Sequence, residues 1–220
     1  IGACLFAFVF GRVAKLPTGD DRIPYFIFSY AGLLIWNAFI QILQKSSESL
    51  VSNSGLVSNI YFPRVVLPLS TVLGVLIDFA IGAVVLALLM AIYGIAPSVS
   101  LLFMPVALLM AILLALGIGL WAAALNVSYR DVRYVVPVFA QFLLWASPVA
   151  YASSNIPASA QWFDAQNPMV GMLESFRWAV LGIPVANWSL VVVSAVASVL
   201  LFVIGSAIFQ RHERRFADVI

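Results

Sequence analysis

Long unbroken apolar runs, separated by short polar clusters, restrict this chain more than any other feature. The clusters fall at Arg12 to Arg22, Lys45 to Arg64, Pro97 to Ser100, Asn126 to Tyr134, Ser153 to Asn187 and Gln210 to the end. Between them lie apolar segments near 1–11, 25–44, 65–93, 101–125, 135–151 and 188–209. A helix needs about 20 apolar residues to cross a bilayer, and each segment reaches that scale except the first and the short fifth. The expectation is an all-α integral membrane protein with six transmembrane helices. The runs are too long and too continuous for the alternating strands of a membrane barrel, and nothing repeats at a period of 20–50 residues. The 11 residues Ile1 to Gly11 would rise only about 16 Å as a helix, so the first span is expected to have lost its beginning. It does not read as a signal peptide, having neither a basic start nor a small-residue cleavage site.

Composition agrees. Of 220 residues, 64% are hydrophobic and 9% charged, with a mean hydropathy of +1.08. A water-soluble domain carries about 45–50% apolar and about 25% charged residues, so soluble enzyme folds are excluded. The net charge of +2 is dispersed over separate loops and gives no footprint for nucleic acid. One cysteine, Cys4, and one histidine, His212, provide neither an internal disulfide nor a structural zinc site.

Alternate loops of such a chain face opposite sides of the membrane. One set holds seven basic residues (Lys45, Arg64, Arg130, Arg133, Arg211, Arg214 and Arg215), the other four (Arg12, Lys15, Arg22 and Arg177). The richer set is assigned to the cytoplasm, which puts both chain ends inside. Trp162, Trp178 and Trp188 then fall near the outer ends of spans, where indole rings anchor helices at the interface.

Catalytic groups are scarce. The single histidine lies in the tail, away from any nucleophile within the membrane, and no phosphate-binding glycine loop is present. If the protein uses ATP, another chain must bind it. Asp78 is the one ionisable residue midway along a span, on a stripe with Ser70, Gly74 and Gly82 at intervals of four. It reads either as a polar point on a pathway or as a hydrogen-bonded residue on a small-residue packing face.

The second span carries two neighbouring stripes. Tyr25, Phe28, Gly32, Trp36 and Phe39 share one helical face, and Tyr30, Asn37, Gln41, Gln44 and Glu48 run beside it. Lipid offers amides and hydroxyls no partner, so this side should meet protein or water. Rings flanked by amides suit sugars, but they also suit ordinary helix packing. Gln141 and Trp145, one turn apart in the fifth span, repeat the pairing. On the cytoplasmic side, Ser46 to Asn59 is expected to form a short interfacial helix, followed by Tyr61, Phe62 and Arg64. This segment is either a docking surface for a soluble partner or an amphipathic piece lying on headgroups. Arg130 and Asp131 in the next inner loop read equally as a docking pair or as helix-end charges.

These residues carry a resemblance. Asn59-Ile-Tyr-Phe-Pro-Arg-Val-Val-Leu-Pro68 resembles the coupling region of the permease subunits of bacterial ABC-2 type polysaccharide exporters, which move O-antigen, capsule and teichoic-acid chains. Asn126-Val-Ser-Tyr-Arg-Asp-Val-Arg-Tyr134 with Val135-Val-Pro137, Gln141 and Ser147-Pro-Val-Ala-Tyr151 is similar to the family's second inner loop and fifth helix. Asn167-Pro-Met169, Phe176-Arg177 and the tail Phe209, Glu213 and Arg215-Phe-Ala-Asp218 continue the match in order, so that it covers essentially the whole chain as one transmembrane domain. The departure is at the N-terminus, where family members have a cytoplasmic amphipathic helix and a complete first span.

The resemblance implies a homodimeric permease in the bacterial inner membrane with a channel between the two copies. It implies two cytoplasmic ATPase subunits beneath, which bind the ATP and Mg, while this chain has no cofactor, metal or catalytic residue of its own. The cargo would be a lipid-linked polysaccharide. Segment 45–64 becomes a coupling helix, with Lys45, Glu48, Tyr61, Phe62, Arg64, Arg130 and Asp131 as candidate ATPase contacts. Tyr25, Phe28, Tyr30, Trp36, Asn37, Phe39, Gln41, Gln141 and Trp145 become candidate channel lining. Segment 153–187 is similar to the family's pair of short re-entrant gate helices at the outer exit, with Trp162, Phe163, Asn167, Pro168 and Arg177 as candidate gate residues. The same architecture with a drug or small lipid as cargo, and a non-transporting membrane scaffold, are the competing expectations.

Overall fold

The computed structural model describes residues 23–60, 62–149, 151 and 166–213, and every described regular element is helical. In chain order these are α1 (Tyr25–Ser52), the short α2 (Ser54–Asn59), α3 (Val66–Ile92), a 3-10 turn (Val99–Phe103) leading into α4 (Met104–Ser128), α5 (Val132–Trp145), α6 (Pro168–Leu181) and α7 (Trp188–Glu213). Four described stretches are long and apolar enough to cross a membrane: α1, α3, the 3-10 turn with α4, and α7. Their limits follow local signals. Pro24 precedes α1, Pro105 sits in the first turn of α4 where a missing N–H costs nothing, and α6 is closed by Gly182 at φ 72°.

Two expectations about elements are corrected. The fifth span, expected over 135–151, is a 14-residue helix. At 1.5 Å per residue it rises about 21 Å, short of a hydrocarbon core about 30 Å thick. The separate interfacial helix expected over 46–59 is instead divided: 46–52 is the uninterrupted end of α1, and the six-residue α2 follows Asn53. Polar residues do not stop α1 because its serines bond back to their own helix: Ser46 Oγ to Leu43 O at 3.2 Å, Ser47 Oγ to Gln44 O at 2.8 Å, Ser49 Oγ to Ser46 O at 2.7 Å. The first expected span, 1–11, lies outside the described residues.

Helix α1 is the central element, packed against α3, α4, α5 and α6, while α7 lies along α4 and α6. Buried Ile27, Ile35, Phe39 and Leu43 of α1 meet Ala111, Leu114 and Ala115 of α4 and Met172 and Phe176 of α6 in one core. A second, smaller cluster joins Leu50 of α1, Leu120, Ala123 and Ala124 of α4 and Phe209 of α7 at the opposite end of the bundle. Small residues set the closest crossings. Gly117 of α4 and Gly205 of α7 touch backbone to backbone, so a Cβ on Gly205 would collide with the Gly117 carbonyl. The outer rows of α3 and α7, including Leu73, Ile77, Ile81, Val192, Val196 and Val203, are exposed and apolar, as helices facing lipid or another membrane chain must be.

Candidate functional site

Two polar constellations stand out against this apolar background. The first is at one end of α6. Asn167 caps that helix: its Oδ1 accepts from Met169 N at 3.0 Å, while its Nδ2 donates to Ala146 O and Ser147 Oγ, both at 3.0 Å. Thus the last carbonyls of α5 are tied to the first turn of α6. Pro168 occupies the opening helical position. Two to three turns further along, the buried Arg177 spreads its guanidinium over the non-helical backbone that follows α5. It donates to Pro148 O at 2.7 Å, Val149 O at 2.5 Å and Tyr151 O at 3.4 Å. Its other face lies over the Phe28 ring, 3.8 Å from the centroid, and Gly32 leaves the space: a Cβ there would strike Arg177 and Val149 O. Arg177, counted in the sequence as an outer-loop charge, is therefore an interior donor that satisfies backbone no helix can satisfy.

This arrangement corrects the reading of the aromatic stripe. Phe28, Trp36 and Phe39 are 1%, 4% and 0% exposed and pack in the core, Trp36 and Phe39 with ring centroids 5.6 Å apart. Rings so enclosed cannot touch a passing polymer. Periodicity placed the rings on one face and left it to meet protein or water; it meets this chain's own α4, α5 and α6. Tyr25, half-buried, has its ring 6.0 Å from that of Phe28, and Tyr30 donates its hydroxyl to Gly82 O of α3 at 3.2 Å.

The second constellation occupies the neighbouring edge of α1. Asn37, Lys45 and Glu48 are exposed and Gln41 half-exposed, at intervals of four, four and three residues along one stripe. Lys45 Nζ reaches back one turn to Gln41 Oε1 at 3.1 Å and meets Asp78 Oδ2 of α3 at 4.0 Å. Both side chains are about half exposed, 48% for Lys45 and 56% for Asp78. Asp78 thus has a partner at the middle of α3, on a surface rather than inside the core. Gln141 and Trp145 are also exposed, on the outer side of α5.

On the cytoplasmic side of the expected topology, Phe62 is half-buried and Arg130 and Asp131 are exposed at the start of α5, where the Asp131 side chain makes no cap. Arg64 is not a free docking charge: its main-chain N–H donates to Glu213 Oε1 at 2.9 Å and its guanidinium to the Glu213 carbonyl. Tyr61, Trp162 and Phe163 lie outside the described residues. Sequence reasoning missed Asn126, which it placed in a loop. Asn126 is buried at the end of α4 and donates to Ser47 O of α1 at 3.1 Å. It missed the Glu213 tie as well. Among the described residues no group of three or more His, Cys, Asp or Glu side chains is placed to hold a metal.

The described residues thus form a bundle in which four helical stretches are long and apolar enough to cross a membrane, with a charged edge on α1 and α3. The match to a known family agrees: residues 1–181 fit the ABC-2 type transporter family, and the chain belongs to it. It is similar to an O-antigen export system permease protein of Klebsiella pneumoniae, RfbA, 28% identical over 217 residues that cover 98% of this chain and 83% of that protein. A second Klebsiella pneumoniae protein of the same description is 26% identical over the same shares. The Myxococcus xanthus protein so described is 28% identical over 203 residues, covering 91% of this chain and 78% of the relative.

Proposed function

We propose that this chain is the membrane subunit of an ATP-driven exporter and moves a lipid-linked polysaccharide of the O-antigen type across the bacterial inner membrane. The observation that carries this reading is the exposed edge Asn37, Gln41, Lys45, Glu48 and Asp78 on helices α1 and α3. A charged side chain facing hydrocarbon at the centre of a span costs about 2.5–3.5 kcal/mol or more, and Asp78 lies midway along α3, so the edge there must meet water or a polar neighbour. Two copies of the chain placed with these edges facing would enclose a wet path lined by amides and balanced charge. Such a lining hydrogen-bonds successive sugars without reading their order, which suits a long polymer. The names of the relatives support glycan over drug or small lipid as cargo.

The division of labour follows. This sequence has no nucleotide-binding loop, so hydrolysis belongs to cytoplasmic partner subunits docking on the face formed by α2, Phe62, Arg130 and Asp131. Helix α6, with Asn167 and Pro168 at its start and Arg177 nearer its end, stands at the outer side as part of the exit. Repeated strokes along an open path move a polymer too long for an enclosed cavity.

Purification of the native complex, reconstitution in vesicles and addition of lipid-linked glycan tests this directly. A co-purifying ATPase stimulated by the glycan is expected, and a chain that purifies without one would refute the reading. The edge itself is tested by the double variant Lys45→Leu with Asp78→Leu. Export is expected to fall about tenfold or more, equivalent to at least about 1.4 kcal/mol, with the complex still assembled. An edge facing lipid would give the opposite result, because removing both charges would then leave export intact and raise thermal stability.

A further inference from the structure

We infer that Glu213 is a positioning residue: it fastens the cytoplasmic segment 54–64 to the last span, so that a push on that segment moves α7 together with α1. The inference rests on the exporter reading and adds the route by which force enters the membrane domain.

The tie consists of two bonds between one pair of residues 149 positions apart, Arg64 N to Glu213 Oε1 at 2.9 Å and the Arg64 guanidinium to Glu213 O. The second bond takes the main-chain carbonyl of Glu213, the last described residue of α7. The first bond holds the main chain of Arg64, not merely a flexible side-chain tip, so it fixes where the segment ends.

The other end of the segment is equally fixed. Helix α1 runs without a break to Ser52, and Asn53 Nδ2 returns to Ser49 O at 2.8 Å. Between these anchors Ser54, Gly55, Leu56, Ile60 and Pro63 are exposed, which leaves the middle open to a partner. Behind the tie, Phe209, one turn before Glu213, is fully buried among Leu50 of α1 and Leu120, Ala124 and Val127 of α4, and Val65 and Leu67 at the start of α3 pack on the same cluster. The inner ends of four long helices therefore meet where the segment is anchored. A load on residues 54–64 reaches α1 across the single turn residue Asn53 and α7 through Glu213. Without the tie, the packing of Phe209 with Val65 and Leu67 remains, which holds side chains and not the Arg64 main chain.

The native complex with its ATPase subunits is the system for the test, comparing Glu213→Ala with Glu213→Gln. Glutamine keeps a carbonyl oxygen that accepts the Arg64 N–H, whereas alanine removes that side-chain acceptor, frees the Arg64 main chain and leaves only the guanidinium bond to the main-chain carbonyl of residue 213. Retention of the ATPase, basal ATP hydrolysis, glycan-stimulated hydrolysis and export are read separately. For Glu213→Ala the expected result is full retention and unchanged basal hydrolysis with export lowered about tenfold, and for Glu213→Gln export within about twofold of the parent. Wild-type export by Glu213→Ala would overturn the inference. So would loss of export by both variants to the same degree, because the charge and not the tie would then matter. Melting curves of both variants separate misfolding: a Glu213→Ala chain that melts early and loses its ATPase marks a structural residue and also overturns it. Failure of the parent reading is seen independently, as a wild-type chain with no ATPase.

Discussion

Gly205→Ala is expected to cost this protein about 3 kcal/mol or more, although it adds a single methyl group. A Cβ at that position would overlap the Gly117 carbonyl of α4, and the reciprocal Cβ on Gly117 would meet the backbone of Leu201 and Phe202. Backbone on both sides cannot swing away as a side-chain tip can, so relief requires the two helices to separate along their whole crossing. That crossing is the most extensive packing in the described bundle. In a membrane, close van der Waals approach of small residues contributes what water-driven burial supplies in a soluble core. Thermal aggregation in detergent checks the expectation, with Gly74→Ala as the control. Gly74 lies on exposed α3 with open space around it, and its substitution should leave the melting midpoint unchanged. Equal midpoints for both variants would show that α4 and α7 do not touch at Gly117 and Gly205.

The second large effect is expected at Arg177. Methionine there has a similar length and no donor, leaving the carbonyls of Pro148, Val149 and Tyr151 without the guanidinium that serves them all. Removing the charged partner of a buried polar group costs about 3–5 kcal/mol, and each carbonyl left dry adds to the deficit. Arg177→Lys should recover only part of the loss, since an ammonium has neither the planar fork nor the flat face that lies over Phe28. The order expected in melting experiments is Arg177, then lysine, then methionine. A methionine variant as stable as the parent would remove the staple from this account.

Where most of the helices long and apolar enough to cross a membrane lie was readable in advance. The segments near 65–93, 101–125 and 188–209 became α3, α4 and α7 within a few residues at most ends, because span length is set by a run of apolar residues and a bilayer of fixed thickness. The end of α1 was not readable. Serines and a lysine suggested that the span stopped near residue 44 and a separate interfacial helix followed, yet Ser46, Ser47 and Ser49 are buried in a continuing helix against α4, where Gly119 makes room for Ser46. The aromatic stripe of α1 was correctly placed on one face, but its neighbour was not determined, and the candidates Phe28, Trp36 and Phe39 proved to be core. The adjacent amide stripe kept its exposure and gained Asp78 as a member.

The sequence by itself determined the solvent, the helical class, the approximate limits of the long spans and the absence of a nucleotide-binding loop. Each of these is a property of residues close together in the chain. Only the tertiary structure decided which face of each helix meets protein, that Arg177 is an interior donor, and that Arg64 is held by Glu213. Those outcomes depend on partners tens to more than a hundred residues away, and a helical period of 3.6 residues specifies a face without specifying what covers it.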